Sequence, residues 1–261
     1  MGLLEIGPGD YSRLEIDGRP EAFLSKDTYD RFTPAILGLG DLAAPPTTTN
    51  AVCAVCDLEG FTALCSRPDS HLVVPEFLNQ VLTWLFDRIK LSSAARAHTD
   101  GHIMNSPLPF FAKFMGDGVL LLWDTHGVED RALWNVVSMM RENTKTYEHV
   151  LRPELSRTIA AVPRRLRCGI ARGEVSSVGN GQDFVGPCMN MAARLQKLSL
   201  LSFAFARHAV NVEPYMSPLA RASFVLKEVD IRGMGNDHLV YVLDDEFAGL
   251  PADERLHFRD P

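Results

Sequence analysis

The stretch FFAKFMGDGVLLLW, residues 110–123, sets two apolar runs on either side of Gly116-Asp117-Gly118. Glycines flanking an aspartate let the chain reverse at little steric cost, so the stretch predicts a β-hairpin turning there. Upstream, Ala51-Val52-Cys53-Ala54-Val55-Cys56 is a short apolar run closed by Asp57, which predicts a buried strand. Between the two, residues 71–90 carry Val74, Phe77, Leu78, Val81, Leu82, Leu85 and Ile89 at three- and four-residue steps, the pattern of an amphipathic helix. Downstream, residues 129–151 repeat that pattern through Leu133, Val136, Val137 and Met140. Residues 165–178 read as a strand and turn, 189–197 as a helix, and 224–229 and 239–243 as late strands. The order strand, helix, hairpin, helix, strand, helix, strands predicts an α/β sandwich, with helices on one face of a mostly antiparallel sheet.

At 261 residues the chain can bury a sizeable core. Residues 1–48 are rich in Gly, Pro and Asp and end in Ala43-Ala44-Pro45-Pro46-Thr47-Thr48, so they are expected to form an N-terminal extension of short irregular elements. Residues 49–245 form the expected main domain, and 246–261 an acidic tail capping the surface. With 33 acidic against 26 basic residues, the net charge of −7 gives no general attraction to nucleic acid or anionic membranes. Five cysteines, an odd number in a chain too large to need staples, point to a reduced, intracellular setting. The first residues show no basic segment leading into an apolar run, and no stretch approaches ~18 apolar residues, so the expected location is the cytoplasm.

Two aspartates stand where apolar strands stop. Asp57 follows Cys56, and Asp117 occupies the Gly-Asp-Gly turn. Carboxylates so placed suit a hard divalent cation, although turn preference alone accounts for either one singly. Asn190 and Arg194 are four apart and share a helix face, where Arg offers a fork of donors for phosphate and Asn can orient a ribose oxygen. Lys113 precedes Asp117 on the predicted strand, and Asp183 lies seven residues before Asn190. A zinc reading of Cys53-x-x-Cys56 with Cys65 lacks a second pair at ligand spacing. Strand alternation also points Cys53 and Cys56 to opposite faces, so they are expected to be core thiols.

Taken in order, Asp57-Leu58-Glu59-Gly60-Phe61-Thr62, Lys113-Phe114-Met115-Gly116-Asp117-Gly118, Gly169-Ile170-Ala171-Arg172-Gly173-Glu174-Val175 and Asp183 through Arg194 resemble the catalytic domain of the class III nucleotidyl cyclases, the adenylate and guanylate cyclases, over roughly residues 50–243. The resemblance implies a ferredoxin-like fold and conversion of a nucleoside triphosphate to a 3′,5′-cyclic nucleotide and pyrophosphate. It implies that Asp57 and Asp117, helped by the backbone carbonyl of Leu58, hold two divalent cations, Mn²⁺ or Mg²⁺. Asn190 would then fix the ribose, Arg194 stabilise charge on the α-phosphoryl group, and Lys113 and Asp183 read the base. These four residues come from the other subunit of a head-to-tail homodimer, so a chain carrying both sets implies two complete sites. In Arg232-Gly233-Met234-Gly235, Arg232 keeps a phosphate-binding charge and Met234 stands where a second basic residue is usual.

Lysine donates and ionised aspartate accepts, so the Lys113–Asp183 pair fits adenine and uracil equally. The 60-residue separation of Asp57 and Asp117 (117 − 57) is long for the family. With the extension and the Phe77-Leu78, Leu82 and Trp84-Leu85-Phe86 helix, it resembles the stand-alone pyrimidine cyclases of bacterial anti-phage signalling, whose cyclic UMP or cyclic CMP activates a separate effector. This favours UTP as substrate; an adenylate cyclase making cyclic AMP is the alternative. A reading of another class, an inactive nucleotide-binding or interaction domain, would need a missing metal or transition-state residue, and Asp57, Asp117, Asn190 and Arg194 are all present.

Overall fold

Because apolar residues fill every position from 51 to 56 rather than alternate, the first long strand should be covered on both sides, as strands inside α/β sheets are. The computed structural model describes residues 11–16, 19–30, 33–35, 38–93, 107–209 and 213–261. In chain order the elements begin with β1 (Tyr11–Ile16), β2 (Arg19–Leu24), α1 (Lys26–Asp30), β3 (Thr48–Glu59), α2 (Phe61–Cys65) and α3 (Ser70–Ser93). Then come β4 (Phe111–Phe114), β5 (Gly118–Asp124), α4 (Asp130–Thr146), a π-helical turn (Tyr147–Leu151), α5 (Arg152–Leu155), β6 (Arg165–Val178) and β7 (Asp183–Val185). The remainder is α6 (Pro187–Leu195), β8 (Phe203–Ala206), α7 (Pro218–Ala222), β9 (Phe224–Ile231), β10 (Gly235–Leu243), α8 (Asp244–Ala248), α9 (Ala252–Arg255) and β11 (Phe258–Arg259).

The chain divides into two compact units. The first comprises Met1–Thr48 and Val175–Val185. Within it β1 and β2 pair antiparallel from Tyr11↔Leu24 to Ile16↔Arg19, where irregular elements were expected. The Asp17-Gly18 dipeptide in the sequence between them is itself a hairpin signal. Thr47 N–H donates to Ser177 Oγ (2.8 Å), Ser177 N–H donates to Thr47 O (2.8 Å), and β7 pairs with the end of β6.

The second unit, Thr49–Glu174 with Gly186–Pro261, is built on a sheet of order β11-β9-β10-β8-β6-β3-β5-β4. β6 and β8 run parallel, and the other described registers are antiparallel, so the sheet is mostly antiparallel as expected. Val52, Ala54, Cys56 and Leu58 of β3 join Phe77, Val81, Leu85 and Ile89 of α3 and Leu133, Val136, Val137 and Met140 of α4 in one core. Each of the Val, Leu, Ile, Phe and Met side chains among them contributes roughly 1.5–3 kcal/mol by burial, which explains why the stripe at three- and four-residue steps governs where α3 sits. Tyr147, fully buried, donates from Oη to the carbonyl of Pro163 (2.9 Å) and anchors the π-helical turn, where an uninterrupted helix was expected.

Ala51, Cys53 and Val55, on the opposite face of β3, are buried as well. That face carries a helix too. Gly169 alternates on β6 with the core residues Cys168 and Ile170, and a Cβ there would stand 2.2 Å from the Ala192 carbonyl oxygen and 2.3 Å from the Gln196 nitrogen. Helix α6 therefore lies directly on the sheet at Gly169, and the helices are not confined to one face. Gly118 has a similar reason: a Cβ would meet the Cys56 carbonyl oxygen at 2.0 Å where β5 begins beside β3. The tail, expected only to cap the surface, adds an edge strand instead. Phe258↔Val229 pairs β11 with β9, and the Phe258 ring packs edge-on against Phe247 at 5.4 Å. No described helix is long and apolar enough to cross a membrane.

Candidate active site

The hairpin turn delivers Asp117 beside the end of β3. Asp57 is opposite Gly118 in the β3–β5 register, and Leu58 N–H donates to the Asp117 carbonyl oxygen (3.0 Å). Asp57 is only 6% exposed. A buried carboxylate needs partners, and it has two: Arg167 Nη2 and Gln196 Nε2 donate to its Oδ2 at 2.7 and 2.8 Å. Arg167 comes from β6, and Gln196 follows the last residue of α6. Both donors act on one oxygen, so neither engages Oδ1.

Asp117 stands close enough to Asp57 for the two carboxylates to repel each other. Its carboxyl is pushed above the ordinary carboxylate range, first by burial and then by the negative charge of Asp57, against a smaller opposing effect of Lys197. Two carboxylates held against each other form an all-oxygen donor set with surplus negative charge, which fits a hard divalent cation. Among the described residues no three His, Cys, Asp or Glu gather as a metal cluster, so oxygens of a bound substrate would have to complete the coordination shell.

The raised pKa has a consequence for stability. The folded chain holds the Asp117 proton more tightly than the unfolded chain does. The stability this group contributes is therefore complete below the ordinary carboxylate range and is lost as pH rises through the raised value. Asp117→Asn removes the penalty. In chelator, the variant should melt at a higher temperature than wild type at neutral pH, and the two should converge below about pH 4, where an ordinary aspartate is protonated in both states. Thermal melts across that range provide the check.

Helix α6 is two-sided. Cys188, Met191, Ala192 and Leu195 are buried, whereas Asn190, Arg194 and, just beyond the helix end, Lys197 are exposed. Asn190, Arg194 and Lys197 line a cavity of about 750 Å³ together with Arg232, Gly233 and Met234 from the β9–β10 turn. Among the described residues no carboxylate lines it. An adjoining cavity of about 470 Å³ shares Arg194, Lys197 and Arg232. Space of this size accepts a drug-sized ligand, and walls of one sign select an anionic one.

The structure thus brings Asp57, Leu58 and Asp117 into one group, and Asn190, Arg194 and Arg232 into another. Lys113 stands exposed on β4 and is not part of the cavity lining. Asp183 lies on β7 in the first unit, where its Oδ1 accepts the Phe184 N–H (2.8 Å). Sequence reasoning missed Arg167, Gln196 and Lys197. Arg167 had a signal in Arg165-Leu166-Arg167-Cys168, whose alternation sets both arginines on one face of a strand, and Lys197 continues the Asn190–Arg194 stripe at three more residues. All five cysteines are free, and four are buried, consistent with core thiols.

No protein-family model matches the sequence, and no curated protein matches it. Solved structures do match. The guanylyl cyclase Cya2 is 16% identical, covering 77% of this chain and 94% of its own, with a TM-score of 0.52. An adenylate/guanylate cyclase/hydrolase from Silicibacter pomeroyi is 15% identical, covering 76% of this chain and 98% of its own, at 0.50. A non-canonical dimeric guanylyl cyclase domain of a RhoGC fusion protein from the aquatic fungus Blastocladiella emersonii is 14% identical, covering 76% and 96%, also at 0.50. At these identities the likeness is one of architecture: the chain has the fold of the class III nucleotidyl cyclase catalytic domains.

Proposed function

We propose that the chain is a nucleotidyl cyclase that turns a nucleoside triphosphate into a 3′,5′-cyclic nucleotide and pyrophosphate. The observation that carries this reading is the two-sidedness of α6. At its end Gln196 holds Asp57 of the carboxylate pair, while its exposed face supplies Asn190 and Arg194 to a cavity without acids. A chain that carries both cation-seeking carboxylates and an anion-seeking cavity holds the two halves that a phosphate ester and its counter-ions require. In a head-to-tail pair each half meets its complement from the partner.

In this reading Asp57, Asp117 and the Leu58 carbonyl are the cation ligands. A divalent pair, Mn²⁺ or Mg²⁺, would supply acidification of the ribose 3′-hydroxyl and neutralisation of phosphate charge when bound. The chain's own residues do the rest. Arg167 and Gln196 fix the Asp57 carboxylate, leaving Oδ1 for ligation. Arg194 donates to the α-phosphoryl oxygens as charge grows there, Asn190 holds the ribose, and Arg232 binds phosphate further along. Lys113 and Asp183 read the base across a head-to-tail homodimer with two shared sites. The fungal structure of the same fold is a non-canonical dimer, which supports dimerisation but not the head-to-tail pairing itself.

For the base, a lysine donor beside an aspartate acceptor suits uracil and adenine alike, and it is the resemblance to stand-alone pyrimidine cyclases that favours UTP over ATP. Cyclic UMP would then be a cytoplasmic messenger in anti-phage defence, read by a separate effector. Incubating the purified chain with ATP, GTP, CTP or UTP plus Mn²⁺, and identifying products by mass spectrometry, should yield cyclic UMP from UTP as the main product. Cyclic AMP as the main product would replace the base assignment. No cyclic product from any of the four would overturn the cyclase reading.

A further inference from the structure

We propose that Lys197 is a third phosphate-binding cation of the site, gripping the polyphosphate part of the substrate beside Arg194 and Arg232. The inference borrows the identity of the substrate from the cyclase reading, but the cavity's charge argues for it independently. Arg194, Lys197 and Arg232 all line the 750 Å³ cavity, and all three also line the adjoining one. Lys197 is exposed, and among the described residues none of the three makes an ion pair or a side-chain hydrogen bond.

Gathering three like charges around one concavity is unfavourable by itself. Several cations elsewhere in this chain are matched. Arg167 meets Asp57, Arg172 meets Asp130, Arg207 meets Glu213, Lys227 meets Asp260, and Arg259 meets Glu228, Asp230 and Asp237. In a protein of net charge −7, three cations lining one concavity, none in an ion pair among the described residues, form a local positive excess that a multiply charged anion would neutralise. The smaller cavity also carries two acids. Asp230 is paired with Arg259, whereas Glu254, hydrogen-bonded to the Ser199 hydroxyl (2.7 Å), keeps its charge, so the larger cavity is where the anion is held. Position adds to charge. Lys197 stands in the turn that closes α6, its N–H donating to the Arg194 carbonyl oxygen (3.0 Å), and both side chains line the cavity with Arg232 of the β9–β10 turn. Three donors from two elements can hold oxygens of successive phosphates, whereas Arg194 alone reaches one group.

The test is binding of inorganic tripolyphosphate to the full-length chain by calorimetry in EDTA, with no nucleotide and no turnover. Wild type should bind, Lys197→Gln should bind about tenfold more weakly, as expected for losing one charge-assisted contact, and Lys197→Arg should restore most of the affinity. Lys90→Gln, an exposed lysine at the end of α3, should bind as wild type. In turnover, Lys197→Gln should raise KM more than it lowers kcat. Equal tripolyphosphate affinity in wild type and Lys197→Gln, or no binding by wild type, overturns the proposal. A role for Lys197 merely as counter-charge to Asp117 would leave tripolyphosphate affinity unchanged and raise Mn²⁺ affinity, which also overturns it. Lys197-dependent binding in a chain that makes no cyclic product supports the phosphate site and removes only the cyclase reading.

Discussion

Asp57→Asn is expected to lose turnover by about 10³-fold or more while keeping its fold, because several kcal/mol of transition-state stabilisation goes with a metal-binding carboxylate. Asparagine has the same shape, and its one oxygen can still accept from Arg167 Nη2 and Gln196 Nε2, the donors now held at 2.7 and 2.8 Å. What it loses is charge. Asp57→Ala is the poorer test for the same structural reason. It leaves Arg167, whose Nε is already buried without a partner, with no carboxylate at all. Breaking one side of a buried pair costs about 3–5 kcal/mol, so the alanine variant should melt well below wild type and lose activity through stability as well as chemistry. Product formation with Mn²⁺, paired with thermal melts, separates the two effects. An active Asp57→Asn protein would show that this carboxylate is not a ligand.

The second large effect belongs to Arg194. Its side chain is exposed on α6 and tied to no described partner, so Arg194→Ala should leave the melting temperature unchanged. Its loss should lower kcat by about 10²–10³-fold, the usual result of removing a donor aimed at developing charge. Mixing inactive Arg194→Ala with inactive Asp57→Asn then tests the assembly. If the two residues serve one site from different subunits, each mixed dimer carries one site with both lesions and one with neither, and random exchange restores roughly a quarter of wild-type activity. Exchange without recovery would put the whole site in a single chain.

Much of the architecture was legible in local pattern. The apolar run at 51–56, the Gly-Asp-Gly turn and the helical stripe of residues 71–90 each announce their element because burial and turn geometry are decided within a few residues. Where the outcome depended on distant chain, the pattern gave little. Phe203-Ala204-Phe205-Ala206 is a four-residue strand with no periodicity to detect, and the tail's Phe258 becomes a strand only because Val229 lies beside it. The continuous apolar run also carried more information than was drawn from it, since burial on both faces of β3 requires a helix on each side of the sheet. The site divides in the same way. Asp57 and Asp117 could be paired through strand ends and a turn, and Asn190 with Arg194 through a four-residue step. The partners that hold Asp57 lie 110 and 139 residues away in sequence, so no local rule could join them to it.

Helix α6 rests on Gly169 at a separation that admits no side chain, with Gln196 on one side and the cationic trio on the other. In evolutionary terms its sequence serves two masters. The buried stripe, with Gly169 beneath it, is free to change only in concert, since a single added methyl would lift the helix and carry Gln196 away from Asp57. The exposed stripe touches no core, so substitutions there are felt in turnover and not in the fold. A lineage of this chain that lost its activity should therefore keep Gly169 and Ala192 fixed while Asn190, Arg194 and Lys197 decay.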